Sequence, residues 1–116
     1  FSAMSELESG HDPNNTYKEN FKDPQGNYVM SVGLLQLSIG DAKIYGCDFK
    51  TDADLVDPIK NLDCGMRIMN KWVGADGLIQ GYAARWLGGA RYWSVLRAPK
   101  VTRIQAWTKA LPMCGK

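Results

Sequence analysis

The stretch DPIKNLDCGMRIMNKWVG, residues 57–74, carries the clearest helix signal in the sequence. Asp57 is a favourable N-cap, and Pro58 suits the first helical position because no helical hydrogen bond needs its missing N–H group. Apolar side chains then recur every three or four positions, at Ile59, Leu62, Met66, Met69 and Val73. This spacing predicts a helix with one buried stripe that ends at Gly74.

Residues on either side of this stretch predict further helices and no convincing strand. The helical segments are expected over residues 1–9, 38–46, 76–86, 90–97 and 102–111. Residues 10–32 are rich in Gly, Pro, Asn and Asp, so they are predicted to form a long irregular loop, which at that length is more often functional than idle. We therefore expect a mainly α fold with a long loop and little or no sheet.

Length and composition exclude several classes of protein. The 116 residues have the length of one domain, and four Trp, five Tyr and three Phe supply enough apolar surface to exclude disorder. No apolar run approaches the roughly 18 residues of a membrane span. The chain begins at Phe1 without a signal segment, so we expect one domain, residues 1–116, from a processed or trimmed chain.

Charge is distributed unevenly along the chain. Residues 1–58 carry four Lys against ten Asp and Glu, a net charge of −6, whereas residues 59–116 carry ten Lys and Arg against two Asp, a net charge of +8. A basic half indicates an anionic partner such as nucleic acid, a membrane surface or an acidic polymer. The alternative is that the two halves neutralise each other in the folded chain, and both interpretations stay open.

The three cysteines, Cys47, Cys64 and Cys114, lack metal-ligand spacing, and His11 is the single histidine, so we expect no metal site. A disulfide between Cys47 and Cys64 fits an exported domain. We expect these two to pair, because the residues between them form a loop that must fold back to bring Ile59 and Leu62 into the core. The alternative is three buried thiols in a cytosolic protein. The partner of Cys114 is left open.

Carboxylate chemistry is what the sequence offers for catalysis, since it contains no phosphate loop, dinucleotide fingerprint or Cys-x-x-Cys pair. Glu8 lies at the end of the first predicted helix, where the helix dipole disfavours a second negative charge and apolar neighbours add desolvation. Both effects raise the pKa of a carboxyl group, and a carboxylic acid that stays protonated can donate its proton to a glycosidic oxygen. The alternative is an exposed helix-terminal glutamate, which position alone favours.

Three motifs in order favour the catalytic interpretation of Glu8. They are Glu8-Ser9-Gly10, the segment Ser31-Val32-Gly33-Leu34-Leu35-Gln36, and Asp57-Pro58 with Asn61-Leu62 and Gly65. Together they resemble the lysozyme-like soluble lytic transglycosylases, a family related to goose-type lysozymes, over residues 4–97. The resemblance implies a lysozyme-like helical domain with Glu8 as the sole catalytic acid and base. It also implies that Ser9, Ser31 and Gln36 bind the sugar.

The sequence departs from the family pattern at one motif. Where the family has Ala-Tyr-Asn-Ala-Gly, with a tyrosine near the catalytic glutamate, this chain has Arg85-Trp86-Leu87-Gly88-Gly89. Trp86 therefore occupies the tyrosine position without a hydroxyl group, and Tyr92 is the candidate that supplies one. Both are expected to bind substrate. Seven residues precede Glu8, so the catalytic helix is expected to be shortened at its N-terminal end.

The resemblance implies that the protein cleaves the β-1,4 bond between N-acetylmuramic acid and N-acetylglucosamine in peptidoglycan. It implies a periplasmic or secreted monomer without cofactor, metal, membrane span or nucleic-acid partner. A lytic transglycosylase forms a 1,6-anhydro product, whereas a hydrolase needs a water and a second carboxylate, for which Asp12, Glu19 and Asp23 are available. The alternative is a non-catalytic module that binds glycan, or binds nucleic acid through the basic half.

Overall fold

The computed structural model describes residues 1–111, apart from the side chain of Asp52. Its helices are α1 (Ser2–Ser9), α2 (Ile39–Ile44), α3 (Asp52–Val56), α4 (Pro58–Asp76) and α5 (Val101–Ala110). Its strands are β1 (Thr16–Lys22), β2 (Tyr28–Val32), β3 (Gln80–Tyr82) and β4 (Trp86–Gly88). The chain forms two compact units: a central unit of residues 8–67, and a terminal unit of residues 1–7 together with those from 68 onward.

The predicted mainly α class with little or no sheet is wrong. The structure is 48% helical, and 17% of it lies in two small antiparallel sheets, each of two strands. The protein therefore has a mixed α and β fold, and each sheet replaces a segment that the sequence pattern assigned to a loop or a helix.

The first sheet is a hairpin in the central unit, where β1 pairs with β2 and the register shifts between Lys18 and Lys22. Asp23 closes its turn, because Oδ1 of this residue accepts the N–H groups of Gln25 and Asn27, each at 3.0 Å. The predicted irregular loop over residues 10–32 is therefore wrong. Turn-forming residues mark only the ends of the two strands, and the Tyr, Phe, Val and Thr residues between them favour strand pairing.

Helix α4 begins as predicted but buries a different face. Asp57 caps it, since Oδ1 accepts the N–H groups of Ile59 and Lys60 at 3.0 and 3.1 Å. The predicted apolar stripe is wrong, because Ile59 is 78% and Met66 55% exposed. The face of α4 that is buried instead carries Asn61, Cys64, Gly65 and Ile68. The helix continues past Gly74 to Asp76.

A disulfide bond joins Cys47, which follows α2, to Cys64 on α4, with their Cα atoms 5.6 Å apart. This confirms the predicted pair, whereas Cys114 lies outside the described residues. The predicted start of α2 is also confirmed, because Ser38 Oγ accepts the N–H group of Asp41 at 3.2 Å. The disulfide ties the chain just after α2 to the part of α4 that belongs to the central unit.

The second sheet belongs to the terminal unit and runs from the Gln80–Gly88 pair to the Tyr82–Trp86 pair. The predicted helix over residues 76–86 is therefore wrong: Gly77 has a φ of +74°, which ends α4, and a glycine at position 81 disfavours a new helix. The predicted helix over residues 90–97 is wrong as well, since 3-10 turns cover Gly89–Arg91 and Ser94–Leu96.

Trp93 lies in the core of the terminal unit, and its ring centroid is 6.1 Å from that of Phe1 in an edge-to-face arrangement. Other buried residues of this unit are Ala3, Met4, Ala90, Val95 and Leu96. Trp107 on α5 is exposed. Helix α5 buries none of its residues.

Asp76, the last residue of α4, anchors the second sheet and the turn after it. Its Oδ2 accepts hydrogen bonds from the N–H group of Gly88 at 2.6 Å and from Nε of Arg91 at 2.8 Å. Its Oδ1 accepts one from Nη2 of Arg91 at 2.5 Å. The Arg91 guanidinium also lies 4.5 Å from the ring centroid of Trp72. The hydrogen bonds, that from Arg91 foremost, lower the pKa of Asp76 from 3.8 to about 2.

Candidate functional site

Glu8 is the penultimate residue of α1 and is half-buried. The helix ends there because Gly10, with a φ of +65°, adopts the left-handed conformation that glycine tolerates best. The predicted position of Glu8 at a helix C-terminus is therefore confirmed. Its carboxylate lies at the negative end of the helix dipole, the setting that the sequence argument required.

Ser9 is buried and holds the end of α1 in place. Its Oγ donates to the carbonyl oxygen of Leu34 at 3.0 Å, and its own carbonyl oxygen accepts Nδ2 of Asn15 at 3.3 Å. Through these bonds Ser9 connects the helix that carries Glu8 to the second sequence motif. Its contact with a sugar stays a prediction.

The side-chain amide of Gln36 points at the backbone of Asn15 and Gly33. Its Nε2 donates to the carbonyl oxygens of Asn15 and Gly33, both at 2.9 Å, and the N–H group of Gly33 donates to Asn15 at 2.8 Å. Asn15 thus links Ser9 to Gln36, a role that no motif in the sequence indicated. The sequence offered no signal for this role, because the strand that follows Asn15 was not predicted.

Ser31 lies opposite Tyr17 in the hairpin and contacts a carboxylate. Its Oγ donates to Oε1 of Glu19 at 3.2 Å, across the two strands. Both side chains are half-buried. The structure therefore brings one predicted sugar-binding residue together with one of the three candidate second carboxylates.

The other two candidate carboxylates form turns. Oδ1 of Asp12 accepts the N–H group of Asn14 at 2.9 Å, and Oδ1 of Asp23 closes the hairpin turn described above. Side chains that bond to the backbone two residues on are typical of turn formation. These contacts distinguish Glu19, which is held by a side chain of a site motif, from Asp12 and Asp23.

Asn61 explains the third motif. It is fully buried, and its Nδ2 donates to the carbonyl oxygens of Val32 and Leu55 at 3.0 and 2.9 Å, while its Oδ1 accepts the N–H group of Leu35 at 2.9 Å. A side chain at Gly33 would overlap both the Asn61 amide and the Leu55 carbonyl oxygen. Asn61 therefore fixes the segment that contains Ser31 and Gln36.

Trp86 and Tyr92 belong to the terminal unit. The Trp86 ring meets that of Tyr82 edge to face, with centroids 4.9 Å apart, and the Arg97 guanidinium lies 5.7 Å from its centroid. Tyr92 contacts Trp93 in the same manner at 4.9 Å. The approach of Trp86 or Tyr92 to Glu8 stays a prediction.

Residues 1–111 contain neither a metal-ligating cluster nor a membrane-spanning helix. In that range no group of three or more His, Cys, Asp or Glu side chains is arranged to hold a metal ion. No helix in the same range is both long enough and apolar enough to cross a membrane. The hydrogen bonds of Ser9, Ser31, Gln36 and Asn61 place the candidate site at the hairpin, the end of α1 and the segment that Asn61 fixes.

No protein-family model and no curated protein matches the chain. Among solved structures, the wild-type form 2 of Bd0314 DslA is 45% identical, with a TM-score of 0.90 over 97% of this chain. Two variants of Bd0314 DslA, each with one glutamate replaced by glutamine, are 44% identical, with TM-scores of 0.89 and 0.90. The chain shares the fold of Bd0314 DslA and spans 64% of its length.

Proposed function

We propose that the protein cleaves the β-1,4 bond between N-acetylmuramic acid and N-acetylglucosamine in peptidoglycan, with Glu8 as the general acid. The ordered motifs resemble those of lysozyme-like lytic transglycosylases, and their residues interact in the central unit. Ser9 connects through Asn15 to Gln36, and Ser31 contacts Glu19. This clustering supports a shared site, because residues from distant parts of the chain converge there.

One observation carries the proposal furthest. The glutamates replaced in the two Bd0314 DslA variants are 11 positions apart, and so are Glu8 and Glu19. The chain contains only one further glutamate, Glu6, and no other pair has this spacing. Replacing glutamate by glutamine keeps the shape of the side chain and removes its ability to exchange a proton. The matching spacing supports Glu8 and Glu19 as a functional pair.

A pair of carboxylates favours hydrolysis over formation of a 1,6-anhydro product. In two-carboxylate glycosidases one carboxylic acid protonates the leaving oxygen, while the other carboxylate activates a water or forms a covalent intermediate. We assign the first role to Glu8 and activation of water to Glu19. The hydrogen bond from Ser31 orients the Glu19 carboxylate for that step.

Sugar recognition in this proposal uses the remaining motif residues. The two N–H groups of Gln36 are directed at backbone carbonyls, and its Oε1 is an acceptor that suits the N–H group of an acetamido sugar. Contact of Trp86 and Tyr92, which belong to the terminal unit, with a sugar stays a prediction of the resemblance. The Cys47–Cys64 disulfide supports an exported, periplasmic or secreted protein, because such bonds persist in oxidising compartments.

The test is the release of soluble fragments from purified peptidoglycan by single-residue variants. We expect Glu8→Gln to slow release by about 10²–10⁴-fold, because a glutamine cannot act as a general acid. Binding to the insoluble wall should be retained. Glu6→Gln is the matched control, since Glu6 is exposed on the same helix, and it should act like the wild type. Near-normal release by Glu8→Gln would contradict the proposal.

A further inference from the structure

We infer that Tyr17 and Phe21, on one face of the β1–β2 hairpin, form a stacking surface for the sugar rings of the glycan strand on either side of Glu19. This inference rests on the proposed function and assigns part of its substrate-binding surface. Tyr17 and Phe21 lie outside all three sequence motifs. Both aromatic side chains belong to the central unit, as does Glu19.

The contacts of the hairpin establish which side chains share a face. The ammonium groups of Lys18 and Lys22 lie 4.7 and 5.0 Å from the ring centroid of Tyr28, so these three residues form one face, here called the cationic face. Side chains alternate along a strand, which places Tyr17, Glu19 and Phe21 on the opposite face. We call this second group the aromatic face.

Ser31 confirms the assignment of the aromatic face. It is the cross-strand partner of Tyr17, and its hydroxyl donates to the Glu19 carboxylate. Ser31, Tyr17 and Glu19 therefore project from the same side of the sheet. Neighbouring positions on one face of a strand are about 7 Å apart, so one aromatic ring lies on each side of the carboxylate.

The two rings are exposed without a structural reason within the hairpin. Tyr17 is 61% and Phe21 56% exposed. The residue opposite Tyr17 is Ser31, which is too small to cover a phenol ring, and Phe21 lies in the irregular stretch between the paired residues Lys18 and Lys22. Aromatic rings stabilise a hairpin chiefly through cross-strand partners of similar size. These rings therefore expose apolar surface beside a proposed catalytic group.

The chemistry of a glycan strand fits this surface. A pyranose ring has an apolar face of C–H groups, which can cover an aromatic ring and exclude water from it. Its hydroxyl groups at the edge stay in solvent. Sugars stacked on Tyr17 and on Phe21, with further sugars of the strand between them, would carry the strand past the Glu19 carboxylate. The rings would thus orient the strand without taking part in proton transfer.

The test measures binding and catalysis separately. In a Glu8→Gln background, which should hold glycan without cleaving it, we expect Tyr17→Ala and Phe21→Ala each to weaken binding to insoluble peptidoglycan about 3–10-fold, a loss typical of one aromatic stacking contact. With Glu8 intact, each variant should raise KM on soluble glycan strands and change kcat little. Tyr17→Phe should restore the wild-type KM, because stacking needs the ring and not the hydroxyl.

Tyr28→Ala is the matched control, since it removes a ring from the cationic face of the same hairpin. We expect it to leave binding and KM unchanged, which separates loss of stacking from loss of hairpin stability. If Tyr17→Ala and Phe21→Ala bind like Tyr28→Ala while cleavage is normal, the inference is overturned and the proposed function stands. If the wild type neither binds nor cleaves peptidoglycan, both are overturned.

Discussion

Asn61 shows at the scale of one residue how the central unit depends on a buried amide. The side chain satisfies two carbonyl oxygens and one N–H group from three separate backbone positions. Buried backbone groups that lose their partner are costly, because the lost hydrogen bond is not replaced by water. The amide thereby determines where the turn before Gln36 lies. These three hydrogen bonds go to backbone groups and not to the proposed carboxylates.

We predict that Asn61→Leu lowers the free energy of unfolding by at least about 3 kcal/mol, since three buried backbone groups lose their partner at roughly 1–3 kcal/mol each. Urea denaturation followed by tryptophan fluorescence measures this change. Asn70→Leu is the control, because Asn70 is exposed on the same helix, and it should shift stability by no more than about 0.5 kcal/mol. Equal midpoints for the two variants would contradict the role assigned to Asn61.

Several residue-level features were predictable from the sequence because they depend on local chemistry. The Asp57 cap, the helix end at Gly10 and the Cys47–Cys64 pair are confirmed. The contact between Gln36 and Asn15 was not predictable, because the two residues lie 21 positions apart in the chain. Gln36 also adopts a φ of +51°, which sequence patterns do not reveal for a residue other than glycine.

At the scale of elements, helix α4 shows why its existence was predictable and its orientation was not. Two faces of the helix carry apolar residues, and the spacing rule selected the face of Ile59 and Met66. The structure instead buries the face that carries Asn61, Cys64 and Ile68. A disulfide bond and a buried amide fix that choice, and both are tertiary interactions that a periodicity argument does not contain.

The two hairpins were missed for a related reason. Strand prediction depends on alternating apolar and polar residues, which arise when one face of a sheet is buried. Most residues of β1 are exposed on both faces, and β3 and β4 have three residues each. Their sequences consequently lack the alternation, so the first segment was assigned to a loop and the second to a helix.

The terminal unit offers an element-scale prediction through Asp76, which joins α4 to β4 and to the turn that holds Arg91. The pKa of Asp76 in the folded protein is about 2, below the ordinary value of 3.8. Its stabilising effect is therefore complete above the ordinary value and is lost as the pH falls toward 2. We predict that Asp76→Asn is less stable than the wild type at neutral pH and loses less further stability on acidification.

Thermal unfolding between pH 2 and pH 7 measures this difference. Asp54 also has a pKa of about 2, mainly because it accepts the N–H group of Lys50, so the variant should retain part of the acid sensitivity. Asp63→Asn, which removes an exposed carboxylate from the same helix, should follow the wild-type profile. An Asp76→Asn profile parallel to that of the wild type would contradict the role given to the Asp76–Arg91 pair.

At the scale of the whole molecule, charge separates the two units. The central unit carries ten Asp and Glu against six Lys and Arg, a net charge of −4, and the terminal unit carries two against eight, a net charge of +6. The proposed carboxylate pair belongs to the acidic unit. A basic unit attracts polymers that bear carboxylates, which include the peptide stems of peptidoglycan. The distribution of charge is thus consistent with the proposed substrate.

The measurement that tests the central claim most directly is mass spectrometry of fragments released from purified peptidoglycan in water enriched in heavy oxygen. Hydrolysis by Glu8 and Glu19 predicts muramic acid ends that each carry one heavy oxygen from the solvent, because the attacking group is a water. The Glu8→Gln protein should release no such fragments above background. Ends in the 1,6-anhydro form would contradict the role of Glu19, and the absence of fragments from the wild type would contradict cleavage itself.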